Sequence, residues 1–363
     1  MNEPFVVVSW PAVPVELVRA AGFRLVLARG SAEATAAADA RLEPGIFPSR
    51  LRHLVENALT GRLAEAACIV IPRTSDVDYK CFLYLREFVR SGEARALAPV
   101  VLYDLLQSHG ADVQAYDVAS TRALLTRLAA LSGRMPSSDD LRNEIVRTNA
   151  ARAAARRLAA LRRITPRVMG TEVFPLLAAF WDMDPDRYVT LATEAARDIA
   201  ARPVLAGPRV LLTGAPVDAP VLHQAIESHG AIVVAEVGPL GNAGNAGNAG
   251  NAAGEDVRWD AEPLSALADK YRMHSMGART PADTVRRWTA QMLDAVDAVV
   301  VSLPPDDAVF GWDYPALRDL LGRHGVPHVV LRGDPHEMPT AEDHERLDAM
   351  VVAAARLSEA RHG

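Results

Sequence analysis

Eight short β-branched or aliphatic runs, in two sets of four, constrain this chain more than any other feature. The first set is Phe5–Val8, Phe23–Ala28, Cys68–Ile71 and Ala98–Tyr103. The second is Pro208–Gly214, Gly230–Val234, Asp297–Ser302 and Pro327–Arg332. Each run is too short for a buried helix. Stretches with helical spacing lie between them, such as Pro14–Ala21 with Val15, Leu17, Val18 and Ala21 on one face. Each half therefore reads strand, helix, strand, long excursion, strand, helix, strand. Strands alternating with helices build parallel sheets covered on both faces.

The predicted fold class is α/β. Two similar doubly wound parallel-sheet domains, Rossmann- or flavodoxin-like, are joined by additional long helices. A length of 363 residues exceeds one hydrophobic core, which supports the division. The expected boundaries are 1–118 for the first α/β domain, 119–204 for a helical connecting region and 205–363 for the second α/β domain. The triplet repeat at 241–254, GNAGNAGNAGNAAG, cannot bury side chains and reads as a flexible insertion. Two doubly wound domains imply a cleft between them.

Charge and cysteine usage exclude several classes. The net charge of −6 argues against a general nucleic-acid or anionic-membrane surface. No apolar run reaches the ~18–20 residues of a membrane span, and MNEPFVVVSW lacks the basic, then apolar, order of a signal peptide. The only cysteines, Cys68 and Cys81, form no CxxC pair, so a reducing, cytoplasmic setting is expected. Cationic residues are arginines apart from Lys80 and Lys270. Such bias gives a single arginine little weight, and those of Ser138–Arg163 read as a solvated helix face.

In open parallel sheets, ligands bind where loops leave the carboxyl ends of strands. The stretch Ala67–Phe88 offers such a loop: a strand at Cys68–Ile71, a polar loop at Pro72–Lys80, and a helix from about Cys81. Asp76 and Asp78 form a close acidic pair there, suited to general-base or magnesium chemistry. Glu16, near the mouth of the first strand, is a similar candidate. Motifs for other chemistries are missing: there is no GxGxxG, no HExxH or other zinc spacing, and no GxSxG.

Several segments carry a family resemblance. Pro14-x-Glu16-Leu17 with Ala20-Ala21-Gly22, the helix Ser138-x-x-Leu141…Ile145…Asn149-x-x-Arg152, and GPRVLLTGAPVDAPVLHQAIESHGAIVVAE from Gly207 resemble the D-component family of 2-hydroxyacyl-CoA dehydratases. That family includes subunits of ATP-dependent benzoyl-CoA reductases. The resemblance implies a lyase or reductase complex of two related subunits. In the family, an ATP-driven activator delivers an electron and a [4Fe–4S] cluster reduces an acyl-CoA thioester, which then loses its hydroxyl. Three cysteines of the family pattern hold that cluster. They fall here at Pro48 or Ser49, at Ser75 in Thr74-Ser75-Asp76, and in the loop containing Asp306. None of these positions is a thiol, so the resemblance implies no metal site and no cofactor in this chain.

The expected function is a subunit of a dehydratase-like or benzoyl-CoA-reductase-like enzyme that has lost its own cluster site. It would shape the acyl-thioester cleft beside a paralogous, cluster-bearing partner in a heterodimer; a homodimer is the other assembly considered. Catalytic candidates are Ser75, Asp76 and Glu16. Substrate-binding candidates are Ser49, Arg73, Asp78, Lys80 and Asp306. Two alternatives stand beside it: a cluster-independent enzyme doing non-redox chemistry on a small acid or acyl thioester, and a non-catalytic binding or scaffold protein.

Overall fold

The computed structural model describes residues 3–94, 97–163, 165–238, 240, 255–274, 279, 282–307 and 309–362. The insertion predicted at 241–254 lies outside the described residues. The chain divides into two compact units. Unit 1 comprises Met1–Ala153, Ala179–Tyr188 and Glu255–Arg279, and unit 2 the remainder. Three of the divisions fall inside helices, so the middle of the chain contributes to both.

Unit 1 contains four parallel strands, β1 (Phe5–Val8), β2 (Arg24–Leu27), β3 (Cys68–Pro72) and β4 (Val100–Tyr103), in the order β2-β1-β3-β4. β1 pairs with β3 through Val6 and Cys68, and β3 with β4 through Ile69 and Val100. All five residues of β3 are buried. A central strand covered on both faces needs such an uninterrupted apolar run. On one face α3 (Ser49–Leu59) and α4 (Asp76–Ser91) pack Leu51, Leu54, Val55, Leu85 and Phe88 against Val7, Ile69 and Ile71. Each fully buried aliphatic side chain of this kind stabilises by about 1.5–3 kcal/mol. α1 (Val15–Ala20), α2 (Ala36–Asp39), α5 (Ala111–Ser132) and α10 (Pro263–His274) complete the unit, with the residues of α6 (Ser138–Arg163) up to Ala153.

Two helices start earlier than the sequence pattern predicts. α4 begins at Asp76 rather than Cys81, because Ser75 adopts extended backbone and its Oγ accepts from the Asp78 amide. The expected polar loop thus shrinks to Arg73–Ser75. α5 begins at Ala111, ahead of the helical region expected from 119.

Unit 2 repeats the topology: β5 (Arg209–Gly214), β6 (Ile232–Glu236), β7 (Ala298–Ser302) and β8 (His328–Leu331) pair in parallel in the order β6-β5-β7-β8. Around them lie α9 (Val221–Glu227), α11 (Ala282–Met292), α12 (Phe310–Arg323) and α13 (Ala341–His362). The later part of α6 and most of α7 (Gly170–Asp182) and α8 (Pro185–Ala200) also belong here. Gly214 has φ +93°, and an added Cβ would lie 2.3 Å from the Ser302 carbonyl oxygen, so only glycine fits this strand end. Glu227 is the last residue of α9. Its carboxylate accepts from the amides of Gly170 (2.6 Å) and Thr171 (3.0 Å) and from the Thr171 hydroxyl (2.6 Å), capping α7. It also accepts from the Val233 amide at 3.0 Å.

The arginines of α6 are not all solvated. Arg152 and Arg162 are fully buried, because each meets a buried glutamate. In unit 2, Arg162 makes two parallel 2.8 Å hydrogen bonds to Glu236, which also contacts His223 Nε2 at 3.0 Å. Burial opposes ionisation of Glu236, yet Arg162 and His223 hold its pKa down to about 2. Helical periodicity alone did not reveal these pairs, since each partner lies on a distant element. Among the described residues, no helix is long and apolar enough to cross a membrane.

Candidate functional site

The strand order of unit 1 reverses between β1 and β3, which makes the carboxyl edge there the favoured place for a ligand. Three loops and one helix start supply its polar groups. Ser9 and Trp10 follow β1, Ser31 lies beyond β2, Arg73–Ser75 follow β3, and α3 begins at Ser49.

Asp78 organises the β3 loop. It is fully buried. Oδ2 accepts from the hydroxyls of Thr74 (2.5 Å) and Ser75 (2.8 Å), and Oδ1 from Arg50 Nη2 (2.8 Å). Charge-assisted bonds of this number offset the cost of burying a carboxylate. Arg50 also donates to the Ser9 carbonyl at 3.0 Å and stacks over Trp10, 4.6 Å from its ring centre. The loops after β1 and β3 and the start of α3 are thereby tied together.

The predicted residues separate into groups. Ser49, Arg73, Ser75, Asp76 and Asp78 come together at this edge. Arg73 donates to Asp104 at 3.1 Å and lies over the Tyr79 ring, while Arg279 donates to the other Asp104 oxygen at 3.1 Å. Asp76 is exposed in the first turn of α4 and makes no hydrogen bond or ion pair among the described residues. Lys80 is turned to Glu43 at 2.6 Å, and that hydrogen bond raises its pKa. Asp306 stands in unit 2, half-buried in the turn after β7, beside Asp307, which caps α12.

Glu16 lies in the first turn of α1 and is fully buried. Arg152 donates to one carboxylate oxygen at 2.5 Å and the Tyr271 hydroxyl to the other at 2.9 Å. Arg152 also donates to Asn149 Oδ1 at 2.8 Å, and Asn149 closes a two-way pairing with the backbone of Val257. The Pro-x-Glu-Leu and Asn-x-x-Arg segments of the sequence therefore meet in one buried network. Lys270 is buried nearby on α10, and among the described residues its Nζ has no hydrogen-bond partner. Burial first, then the Arg152 charge, lowers its pKa to about 7.

The sequence reading missed a second cluster at the carboxyl edge. Ser31 Oγ lies 2.8 Å from His53 Nε2, and His53 Nδ1 lies 2.9 Å from the Ser49 carbonyl oxygen. Ser49 Oγ donates to the Ser31 carbonyl (3.0 Å), accepts from the Ser31 amide (3.2 Å) and lies 3.3 Å from His53 Nδ1. Ser49 and His53 stand one helical turn apart on α3, a spacing visible in the sequence. Ser31 is remote from both and carries no local signal.

The positions that resemble cluster ligands hold other chemistry. Ser49 and Ser75 have committed their hydroxyls to the contacts above. Cys68 and Cys81 are buried, and desolvation pushes both thiols up to about 12, with Asp78 adding to the effect at Cys81. These residues do not fit a thiolate-bound cubane, whose iron atoms need several thiolates. Among the described residues, no group of three His, Cys, Asp or Glu side chains could hold a metal ion.

A family model described as 2-hydroxyglutaryl-CoA dehydratase, D-component, matches residues 12–351. No curated protein matches the chain.

Proposed function

The chain belongs to the family of the 2-hydroxyglutaryl-CoA dehydratase D-component, and on that premise we propose that it is the cluster-free subunit of a dehydratase- or reductase-like enzyme. A paralogous partner carries the [4Fe–4S] cluster, and this subunit shapes the pocket for the acyl thioester. One observation carries the reading. The edge where the family pattern places thiolates holds Ser49 and Ser75, with both hydroxyls bound to protein groups.

Within this reading, Arg73 and the exposed Asp76 are the polar groups available to a substrate, and Asp78 with Arg50 holds their loop in place. Co-expression with a cysteine-bearing paralogue, followed by iron and sulfide analysis, tests it. The expected result is a stable complex with metal only in the partner. On the order of four iron atoms bound by this chain alone would overturn it. The hydroxyl–imidazole contact of Ser31 and His53 favours a second reading, cluster-independent acyl chemistry in the same chain.

A further inference from the structure

We propose that Ser31 is a nucleophile for acyl transfer from a thioester, with His53 as its general base and Ser49 as the residue that positions His53. The proposal rests on the reading that this chain meets an acyl thioester.

The argument starts from where the protons must be. The Ser49 carbonyl can only accept, so His53 Nδ1, 2.9 Å away, carries the hydrogen. The Ser49 hydroxyl agrees. Its own hydrogen goes to the Ser31 carbonyl, so toward Nδ1 at 3.3 Å it too can only accept. In its neutral form the imidazole therefore presents a bare Nε2. That atom lies 2.8 Å from Ser31 Oγ, so the hydroxyl hydrogen points at the base that would remove it. Nucleophile to base and base to orienting group are the two contacts that define such a constellation, whatever the order of residues along the chain.

Location and surroundings agree with the assignment. Both Ser31 and His53 are partly exposed at the carboxyl edge of the unit 1 sheet, where a substrate could reach them. The two bonds between Ser31 and Ser49 hold the serine against the first turn of α3, an eleven-residue helix. The positive end of that helix favours negative charge developing on a carbonyl oxygen beside it. The Glu33 amide donates to Ser31 Oγ at 3.2 Å, which steadies the oxygen as its proton leaves. Among the described residues, no carboxylate bonds to the imidazole.

The reaction balances without a cofactor. Ser31 Oγ bonds to the thioester carbonyl carbon as its proton passes to His53 Nε2. The carbon–sulfur bond then breaks, and His53 returns the proton to the departing thiolate. Water, deprotonated by the same nitrogen, cleaves the acyl-serine to release the acid and restore the hydroxyl. No electron is gained or lost.

The test uses the full chain purified alone. A fluorophosphonate probe reports the nucleophile, and mass spectrometry locates the label. Thiol release from short acyl-CoA and S-acyl-N-acetylcysteamine thioesters reports turnover; the buried cysteines keep the protein's own thiol background low. The expected result is a label at Ser31 and thiol release that both fall by roughly 10²–10⁴ in Ser31→Ala and His53→Ala. Ser31→Cys, which keeps a nucleophile at that point, should retain a covalent acyl adduct. Ser31 lies in a loop, so its replacements should melt with the parent and separate loss of chemistry from loss of fold. No label at Ser31, or labelling and turnover that survive Ser31→Ala, would overturn the nucleophile. A label at Ser31 that depends on His53, with no thiol released from any thioester, would instead overturn the acyl-thioester reading.

Discussion

Two histidines stand at the carboxyl edges of two sheets with the same strand order, and their partners differ. In unit 1, His53 faces a hydroxyl and a backbone carbonyl. In unit 2, His336 lies between two carboxylates: Nε2 is 2.5 Å from Asp218 and Nδ1 2.8 Å from Asp334. Burial works against the His336 cation, but the hydrogen bonds and charges of Asp218 and Asp334 outweigh it and raise its pKa to about 10. An imidazole held protonated cannot take a proton near neutral pH. Among the described residues, His53 has no carboxylate partner. Shared topology thus offers each unit the same edge, and the side chains there decide whether it clamps a loop or exposes a base.

The buried pairs on α6 extend the comparison, because both units depend on that helix through one arginine each. Removing one member strands a buried glutamate, so Arg152→Ala and Arg162→Ala should each cost about 3–5 kcal/mol. Urea unfolding followed by tryptophan fluorescence would measure it. Equal losses would mean that both units are tied to α6 by equivalent devices. A loss confined to one variant would break that equivalence.

The His336 clamp gives the next largest effect. Its folded pKa is above the unfolded value of 6.5. Its contribution is therefore fully present below about pH 6.5 and is lost as pH rises through about 10, since the folded state binds the extra proton across that window. His336→Asn should cost about 2 kcal/mol at pH 6, as expected for charge-assisted hydrogen bonds, and much less at pH 10. His53→Asn should change stability by less than about 0.5 kcal/mol at either pH. A flat difference between wild type and His336→Asn across that range would remove the contrast between the two histidines.

Lys270 belongs to unit 1 and has the opposite sign. Its folded pKa lies below its unfolded value of 10.5, at about 7. The unfolded chain holds the extra proton, so the penalty is full below about pH 7 and fades as pH approaches 10.5. Lys270→Met should raise stability by on the order of 1–2 kcal/mol at pH 6 and by little at pH 10. A destabilised variant at pH 6 would show that the amine has a partner that matters.

Much of the fold was legible because its cause is local. The eight strands follow from β-branched runs, and parallel pairing follows from the helices between them. The start of α4 was misjudged because an N-cap depends on one hydroxyl, Ser75, rather than on periodicity. The candidate site was legible only in part. Arg73, Ser75 and Asp78 adjoin a strand end, and the sequence marks strand ends. Arg152 read as solvated because its partner Glu16 lies 136 residues away. His53 was not singled out because Ser31 approaches it only once the loop beyond β2 meets the first turns of α3.

The smallest expected effect separates two serines of the same edge. Ser75 is an N-cap: its Oγ accepts from the Asp78 amide at 3.0 Å and donates to the Asp78 carboxylate at 2.8 Å. Ser75→Ala removes both bonds, and loss of such a cap costs about 1 kcal/mol. Thr74 and Arg50 remain on Asp78, so the carboxylate is not stranded and the loss should not grow beyond that. Ser31 caps nothing, and Ser31→Ala should leave the melting midpoint where it was. Thermal unfolding of the two variants side by side would show it. If Ser31→Ala proved as damaging as Ser75→Ala, the Ser31 hydroxyl would be a structural tie like its neighbour, and the open base at His53 would lose its meaning.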